Sequence, residues 1–138
     1  MPTVAIVDDE PLARRGVRAR LTAFPDLKII AECADGHAAV ETIRKLAPEI
    51  VFLDVQMPGM TGFEVLKELS GERLPTIIFL TAYDSYALKA FEVHAVDYLL
   101  KPIDDERFTA AVKRAVRQRS LESAESLESR LRSLLNQH

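Results

Sequence analysis

Five polar side chains sit where hydrophobic runs stop. Asp8 and Asp9 follow Val4-Ala5-Ile6-Val7, Asp54 closes Ile50-Val51-Phe52-Leu53, Thr81 follows Ile77-Ile78-Phe79-Leu80, and Lys101 follows Tyr98-Leu99-Leu100. Three carboxylates drawn together would repel one another and raise at least one pKa. A hard divalent cation removes that conflict, and a few oxygen ligands that leave room for water and phosphate oxygens suit Mg²⁺ better than Zn²⁺. No His or Cys stands nearby in the sequence to argue for a softer metal. Lys101 then supplies a point charge, and Thr81 a hydroxyl donor, for an anion bound on the metal; a phosphoryl group fits that role best.

Such a site exists only if the fold brings the run ends together. The apolar runs, with Ile29-Ile30-Ala31 as the second of five, begin 25, 21, 27 and 21 residues apart. Near-continuous runs of this kind are strands covered on both faces, and each gap is long enough for a crossover helix. The first helix opens at Pro11, with Ala13, Val17 and Leu21 inward and Arg14, Arg15, Arg18 and Arg20 forming a charged run, read first as a solvated face and second as part of a docking surface for a partner protein. The second follows Asp35-Gly36 with Val40, Ile43 and Ala47 inward. The third follows Gly62 with Phe63, Leu66 and Leu69. The fourth spans about Asp84 to Val93 with Ala87, Ala90 and Phe91 inward, and the fifth starts near Asp104 with Phe108, Ala111, Val112 and Ala115.

Right-handed crossovers make this an α/β doubly wound parallel sheet of five strands, for which the flavodoxin-like order 2-1-3-4-5 is the expected arrangement. All strand ends then share one rim, and the crevice of such a sheet lies between strands one and three, which carry the three aspartates. Singly, each residue has a plainer explanation. Asp8-Asp9 could cap a helix, Asp54 could start the turn Gln56-Met57-Pro58-Gly59, Thr81 could cap the fourth helix, and Lys101 could be surface charge. Convergence of all five on one rim favours the site.

Composition narrows the rest. The 138 residues are about one domain's worth, 48% hydrophobic and 28% charged, so a core can be buried. With 18 Lys+Arg against 21 Asp+Glu the net charge is -3, which disfavours direct binding of nucleic acid by this segment. The single Cys33, read as a small buried hydrophobe, excludes an internal disulfide and suits a reducing, cytoplasmic compartment. No apolar run approaches the ~20 residues of a membrane helix, and no signal peptide is expected. His37, His94 and His138 stand without metal-binding partners. Residues 1–118 suffice for the domain. Residues 119–138, with a serine at every third position from Ser120 to Ser129 and Ala124, Leu127, Leu131 and Leu134 at 3, 4, 3 spacing, are a linker or an extension of the last helix, about 45 Å long if it reaches Leu135.

The stretches Ile6-Val7-Asp8-Asp9-Glu10-Pro11, Leu53-Asp54-Val55-Gln56-Met57-Pro58-Gly59-Met60-Thr61-Gly62, Leu80-Thr81-Ala82 and Tyr98-Leu99-Leu100-Lys101-Pro102 closely resemble the receiver domain of two-component response regulators. The segments Asp8–Arg14 and Ala87–Tyr98 further resemble the LytTR-type (LytR/AlgR) subgroup. The resemblance implies that Asp54 is the nucleophile that takes a phosphoryl group from a phosphohistidine of a sensor histidine kinase. It also implies that Asp9 ligates Mg²⁺ directly, Asp8 through water and Gln56 through its backbone carbonyl. Lys101 would pair with a phosphoryl oxygen across a cis bond to Pro102, Thr81 would swing toward the phosphoryl, and Tyr98 would turn inward, although an aromatic on such a strand can equally be core. Phosphorylation would promote a homodimer through helix four, strand five and helix five, with DNA reached only through a C-terminal output domain absent from this chain.

Three rivals are weaker. A phosphatase of the haloacid dehalogenase kind resembles Asp-x-Asp, but the residue two past Asp54 is Gln56, so the chain is expected to be a signalling phosphoacceptor and not an enzyme with sustained turnover. Flavin mononucleotide binding would need a Ser/Thr/Gly-rich loop where Asp8-Asp9-Glu10 would repel phosphate, and no nucleotide-binding P-loop is present. A stand-alone receiver acting through protein contacts or phosphorelay remains the alternative to a fragment of a transcription regulator.

Overall fold

The computed structural model describes residues 2–93 and 95–136, apart from the side chains of Tyr86, Ala87, Leu88 and Phe91. The inward positions expected for Ala87 and Phe91, and the expectations for His94 and His138, lie outside the described residues. The chain runs β1 (Thr3–Val7), α1 (Pro11–Leu21), β2 (Lys28–Cys33), α2 (Gly36–Leu46), β3 (Ile50–Asp54), α3 (Gly62–Glu68), β4 (Thr76–Thr81), a 3₁₀ turn (Asp84–Tyr86), α4 (Ala87–Glu92), β5 (Asp97–Leu100) and α5 (Asp105–Leu135). All pairings are parallel, in the order β2-β1-β3-β4-β5, as the repeating rhythm of the sequence implies.

Period-two alternation divides the core. Val4, Ile6, Ile50, Phe52, Ile78, Leu80 and Leu99 face α1 and α5, where Val17, Leu21, Phe108, Ala111, Val112 and Ala115 cover them. Ala5, Val7, Val51, Leu53, Ile77 and Phe79 face α2, α3 and α4 through Ala39, Val40, Ile43, Val65, Leu66, Leu69 and Ala90. Phe108 stacks on Phe52 with ring centroids 5.4 Å apart, pinning the start of α5 beneath the central strand.

Four details differ from the sequence reading. The second strand is longer than its apolar run because it is an edge strand, half-buried along most of its length, with a bulge that leaves Ile30 between the pairs Val4–Ile29 and Ala5–Ala31. The fourth helix begins as 3₁₀ and ends at Glu92, where the Ala95 N–H bonds the Ala90 carbonyl and turns the chain into β5. Ala47 is exposed, not inward, since it is the left-handed C-cap of α2 with φ 47°. The arginines of α1 are not simply solvated. Arg18 pairs with Glu32 at 2.6 Å, Arg20 with Asp105 at 2.8 Å, and the Arg14 guanidinium donates to the Asp8 carbonyl at 2.5 Å.

The connection from β3 to α3 fixes the backbone below Asp54. The Val55 N–H bonds the Leu80 carbonyl, the Gly62 N–H bonds the Val55 carbonyl, and Thr61 caps α3 in a reciprocal box with Glu64. A Cβ on Gly62 would lie 2.5 Å from the Asp54 carbonyl oxygen. Gly62→Ala is therefore expected to destabilise the protein by roughly 1–3 kcal/mol through forced displacement of backbone. Gly59→Ala, at φ +82° with open space around it, should cost only about 1–2 kcal/mol of backbone strain. Urea denaturation of the two variants measures the difference, and equal midpoints would contradict the close approach at Gly62.

Candidate functional site

Asp8 leaves β1 fully buried; its N–H extends the ladder to the Cys33 carbonyl at 3.0 Å, and its Oδ1 accepts the Glu10 N–H at 2.9 Å. Asp54, 3% exposed, is the last residue of β3, and its Oδ1 accepts the Gln56 N–H at 3.2 Å. Lys101 follows β5; its N–H bonds the Thr81 carbonyl at 2.8 Å, and the Lys101–Pro102 bond is cis. Asp54 continues the row Ile50-Phe52, Asp8 the row Val4-Ile6, and Lys101 the position of Leu99, so all three emerge on the α1/α5 side of the sheet. Thr81 continues the row Ile77-Phe79 on the other side.

The contacts follow from that parity. Lys101 Nζ lies 2.8 Å from Asp8 Oδ2, 3.0 Å from Glu10 Oε1 and 3.6 Å from Asp54 Oδ2. The Thr81 hydroxyl accepts the Tyr83 N–H at 3.0 Å and so closes a turn in its own loop. Asp8, Asp9, Glu10 and Asp54 each place a carboxylate oxygen within 4.8 Å of the others. The structure thus gathers four of the predicted residues, Asp8, Asp9, Asp54 and Lys101. Gln56 contributes its N–H with an exposed side chain, and Thr81 stands at the rim engaged elsewhere.

Sequence reasoning passed over Glu10 as a member of the cluster. Its adjacency to Asp8-Asp9, just ahead of the helix-opening Pro11, was the available signal. Arg14 was also missed as a support: one turn into α1, it clamps the backbone carbonyl of Asp8 while lying 3.8 Å from Glu32.

Four carboxylates face one ammonium. Burial and the Asp8 carboxylate, helped by a hydrogen bond with Asp9, push Asp54 up to about 7 against the opposing pull of Lys101 and the Gln56 N–H. Burial alone would lower Lys101, but its contacts with Asp8 and Glu10 and the charge of Asp54 outweigh this and raise it. Asp8 Oδ2 has the Lys101 ammonium as its ion-pair partner at 2.8 Å, an ammonium that it shares with Glu10 and Asp54. An all-oxygen donor set of four clustered carboxylates, with more negative charge than one ammonium balances, fits a hard cation such as Mg²⁺.

The model of the response regulator receiver domain matches residues 4–113. The chain belongs to that family. Among curated proteins, the transcriptional regulatory protein BtsR of Salmonella typhi and that of Escherichia coli K12 are each 48% identical over 120 residues, spanning 87% of this chain and 50% of theirs. The chain therefore spans about half the length of these relatives. Among solved structures, the receiver domain of a LuxO repressor protein from Vibrio parahaemolyticus superposes with TM-score 0.80 at 25% identity, covering 89% of this chain and 95% of that one. The response regulatory domain of protein mrkE from Klebsiella pneumoniae gives 0.79 at 27%, covering 86% and 98%. This receiver is a signalling domain of the two-component class. Among the described residues no helix is long and apolar enough to cross a membrane.

Because the folded-state pKa of Asp54 lies above its ordinary 3.8, the folded protein holds the extra proton between about pH 4 and pH 7, and metal-free stability should fall as pH rises through that window. Asp54→Asn should flatten this slope and raise the thermal midpoint at pH 8. Melting curves at pH 5 and pH 8 without divalent cation check it, and a wild-type midpoint that rises with pH would count against the crowding.

Proposed function

We propose that this receiver is a phosphoacceptor switch in which Asp54 takes a phosphoryl group from a phosphohistidine of a sensor histidine kinase. The observation that carries the reading is the convergence of Asp8, Asp9, Asp54 and Lys101 at one rim with Asp54 nearly buried and poorly compensated. Asp9 and Asp54 would hold Mg²⁺ directly, Asp8 through water, and Gln56 through its backbone carbonyl. The bound ion would neutralise the carboxylates and the incoming phosphoryl oxygens.

The protein's own part is positioning and charge. The Gln56 N–H fixes one Asp54 oxygen and leaves the other on the side of Lys101. Attack by that carboxylate oxygen on phosphorus forms the acyl phosphate as the bond to the donor breaks. Lys101 then exchanges Glu10 for a phosphoryl oxygen, a move along the rim from a contact already 3.0 Å long. The Thr81 hydroxyl leaves its turn with Tyr83 to donate to the phosphoryl, and Tyr98, half-buried beside that loop, turns inward. The added charge and three acceptor oxygens thereby favour one arrangement of the surface formed by α4, β5 and α5, through which two copies would pair.

Residues 1–118 form the phosphoacceptor unit in this reading, and 119–138 extend its last helix toward an output domain. The BtsR relatives are named transcriptional regulators and are twice as long as the matched region, which supports a role in transcription regulation through a further output domain; that this output is of the LytTR type and binds DNA in the cytoplasm rests on the resemblance of Asp8–Arg14 and Ala87–Tyr98. The stand-alone reading gains no separate support.

Mg²⁺ with acetyl phosphate should add one acid-labile phosphoryl group, seen by mass spectrometry, and Asp54→Asn should abolish it. Label persisting in that variant would place the nucleophile elsewhere. Lys101→Ala should leave Mg²⁺ binding largely intact but separate modification from dimer formation, read by light scattering at concentrations where the unmodified chain is monomeric. Dimerisation that still follows phosphorylation would remove Lys101 from the switch.

A further inference from the structure

Helix α5 continues unbroken to Leu135, well past the last residue it buries, Ala115. At 3.6 residues per turn the face carrying Phe108, Ala111, Val112 and Ala115 continues as Arg119, Glu122, Ser126, Ser129 and Ser133. The tail's apolar residues lie about 150° around the helix from that face. They are Leu121, Leu127, Leu131, Leu134 and Leu135, exposed by 54%, 57%, 52%, 59% and 76%, together with Ala124. The leucines therefore turn away from the domain that anchors the helix, and continuing its own packing cannot cover them. Elsewhere the tail is Ser, Glu and Arg, with intrahelical pairs Arg119–Glu122 and Arg132–Glu128 at 3.0 and 2.6 Å.

We propose that this stripe is the seam of a parallel two-stranded coiled coil with a second copy of the chain. Ala124 and Leu131 occupy the a positions and Leu127 and Leu134 the d positions, a narrow seam that fits a matching helix better than a broad globular surface. Charge selects the direction. In a parallel pair the flanking contacts are Ser123 with Glu128 and Arg130 with Leu135 of the other copy, and no like charges meet. The antiparallel register that matches the same leucines sets Glu128 against Glu128 and Arg130 against Arg130. A parallel pair also sends both chain ends in one direction from two receivers. This contact is distinct from the α4-β5-α5 pairing and does not depend on Asp54 being phosphorylated.

The test uses the full chain without Mg²⁺ or phosphodonor, so its failure is separable from failure of the phosphoacceptor reading. Sedimentation over a wide concentration range should show an apparent mass rising to that of a dimer. Leu127→Glu with Leu131→Glu should weaken association about tenfold or more, while far-ultraviolet dichroism and phosphoryl uptake stay as in the parent. Under mild oxidation Ala124→Cys should cross-link to its counterpart, Cys33 being buried and out of reach. A parent chain that stays monomeric overturns the proposal and leaves the stripe to another partner. A dimer that survives the double substitution overturns it by placing the contact elsewhere, and an intact dimer that fails to cross-link through position 124 overturns the parallel arrangement.

Discussion

The crowding of carboxylates at the rim of β1 and β3, with Lys101 as their near counter-charge, is the constraint on which the rest of the structure depends. Asp8 and Asp54 are buried where a hydrophobic row would otherwise continue, so neither can relax into water. Removing a carboxylate from water favours its protonated form, and a second carboxylate nearby adds to that effect. A local environment so costly persists because the flanking strands fix it: β1 and β3 are paired residue for residue up to Val7–Leu53. The domain spends core stability to keep an electrostatic deficit that a cation can fill.

The same rim explains why the polar residues differ in readiness. Lys101 shares the α1/α5 side of the sheet with Asp8 and Asp54, and its ammonium already touches the cluster. Thr81 lies on the opposite row and is held by the backbone of its own loop. Charge compensation is therefore built into the resting fold, whereas any contribution from the hydroxyl requires the loop after β4 to change shape. Glu10 occupies the part of the Lys101 ammonium that a second anion would claim. As an exposed carboxylate on flexible reach, it holds Lys101 more loosely than Asp8 does.

Much of this was legible in the sequence because burial on both faces writes itself as continuous apolar runs, and a parallel sheet leaves only one place for their ends to meet. Asp8, Asp54 and Lys101 could be placed together on that ground alone. What escaped has identifiable causes. Ala47 has an apolar side chain, but its backbone turns left-handed to end α2, and periodicity does not report dihedral angles. The edge strand β2 carries Glu32 outward to Arg14 and Arg18, so charge pairing hides in what reads as a solvated helix face. The bond from Arg14 to the Asp8 carbonyl joins a side chain to a backbone atom six positions away, and side-chain types alone carry little trace of such contacts.

Asp97 shows how the rim is tied to the distal helix. It opens β5 and is buried, with one carboxylate oxygen bound by Arg107 at 2.9 Å and the other by Arg114. Both arginines stand on α5, about two turns apart. Removing either would leave a buried charge half-compensated, so β5 and the start of α5 behave as one body. Arg107 also donates to the Tyr98 carbonyl at 3.1 Å and lies 6.0 Å from the centre of its ring. Lys101 is three residues beyond Tyr98 on the same short strand and its exit. The residue that compensates the carboxylates and the strand clamped to α5 thus belong to one short stretch of chain, so the rim and α5 are joined by direct ion pairs and hydrogen bonds and not by loops alone.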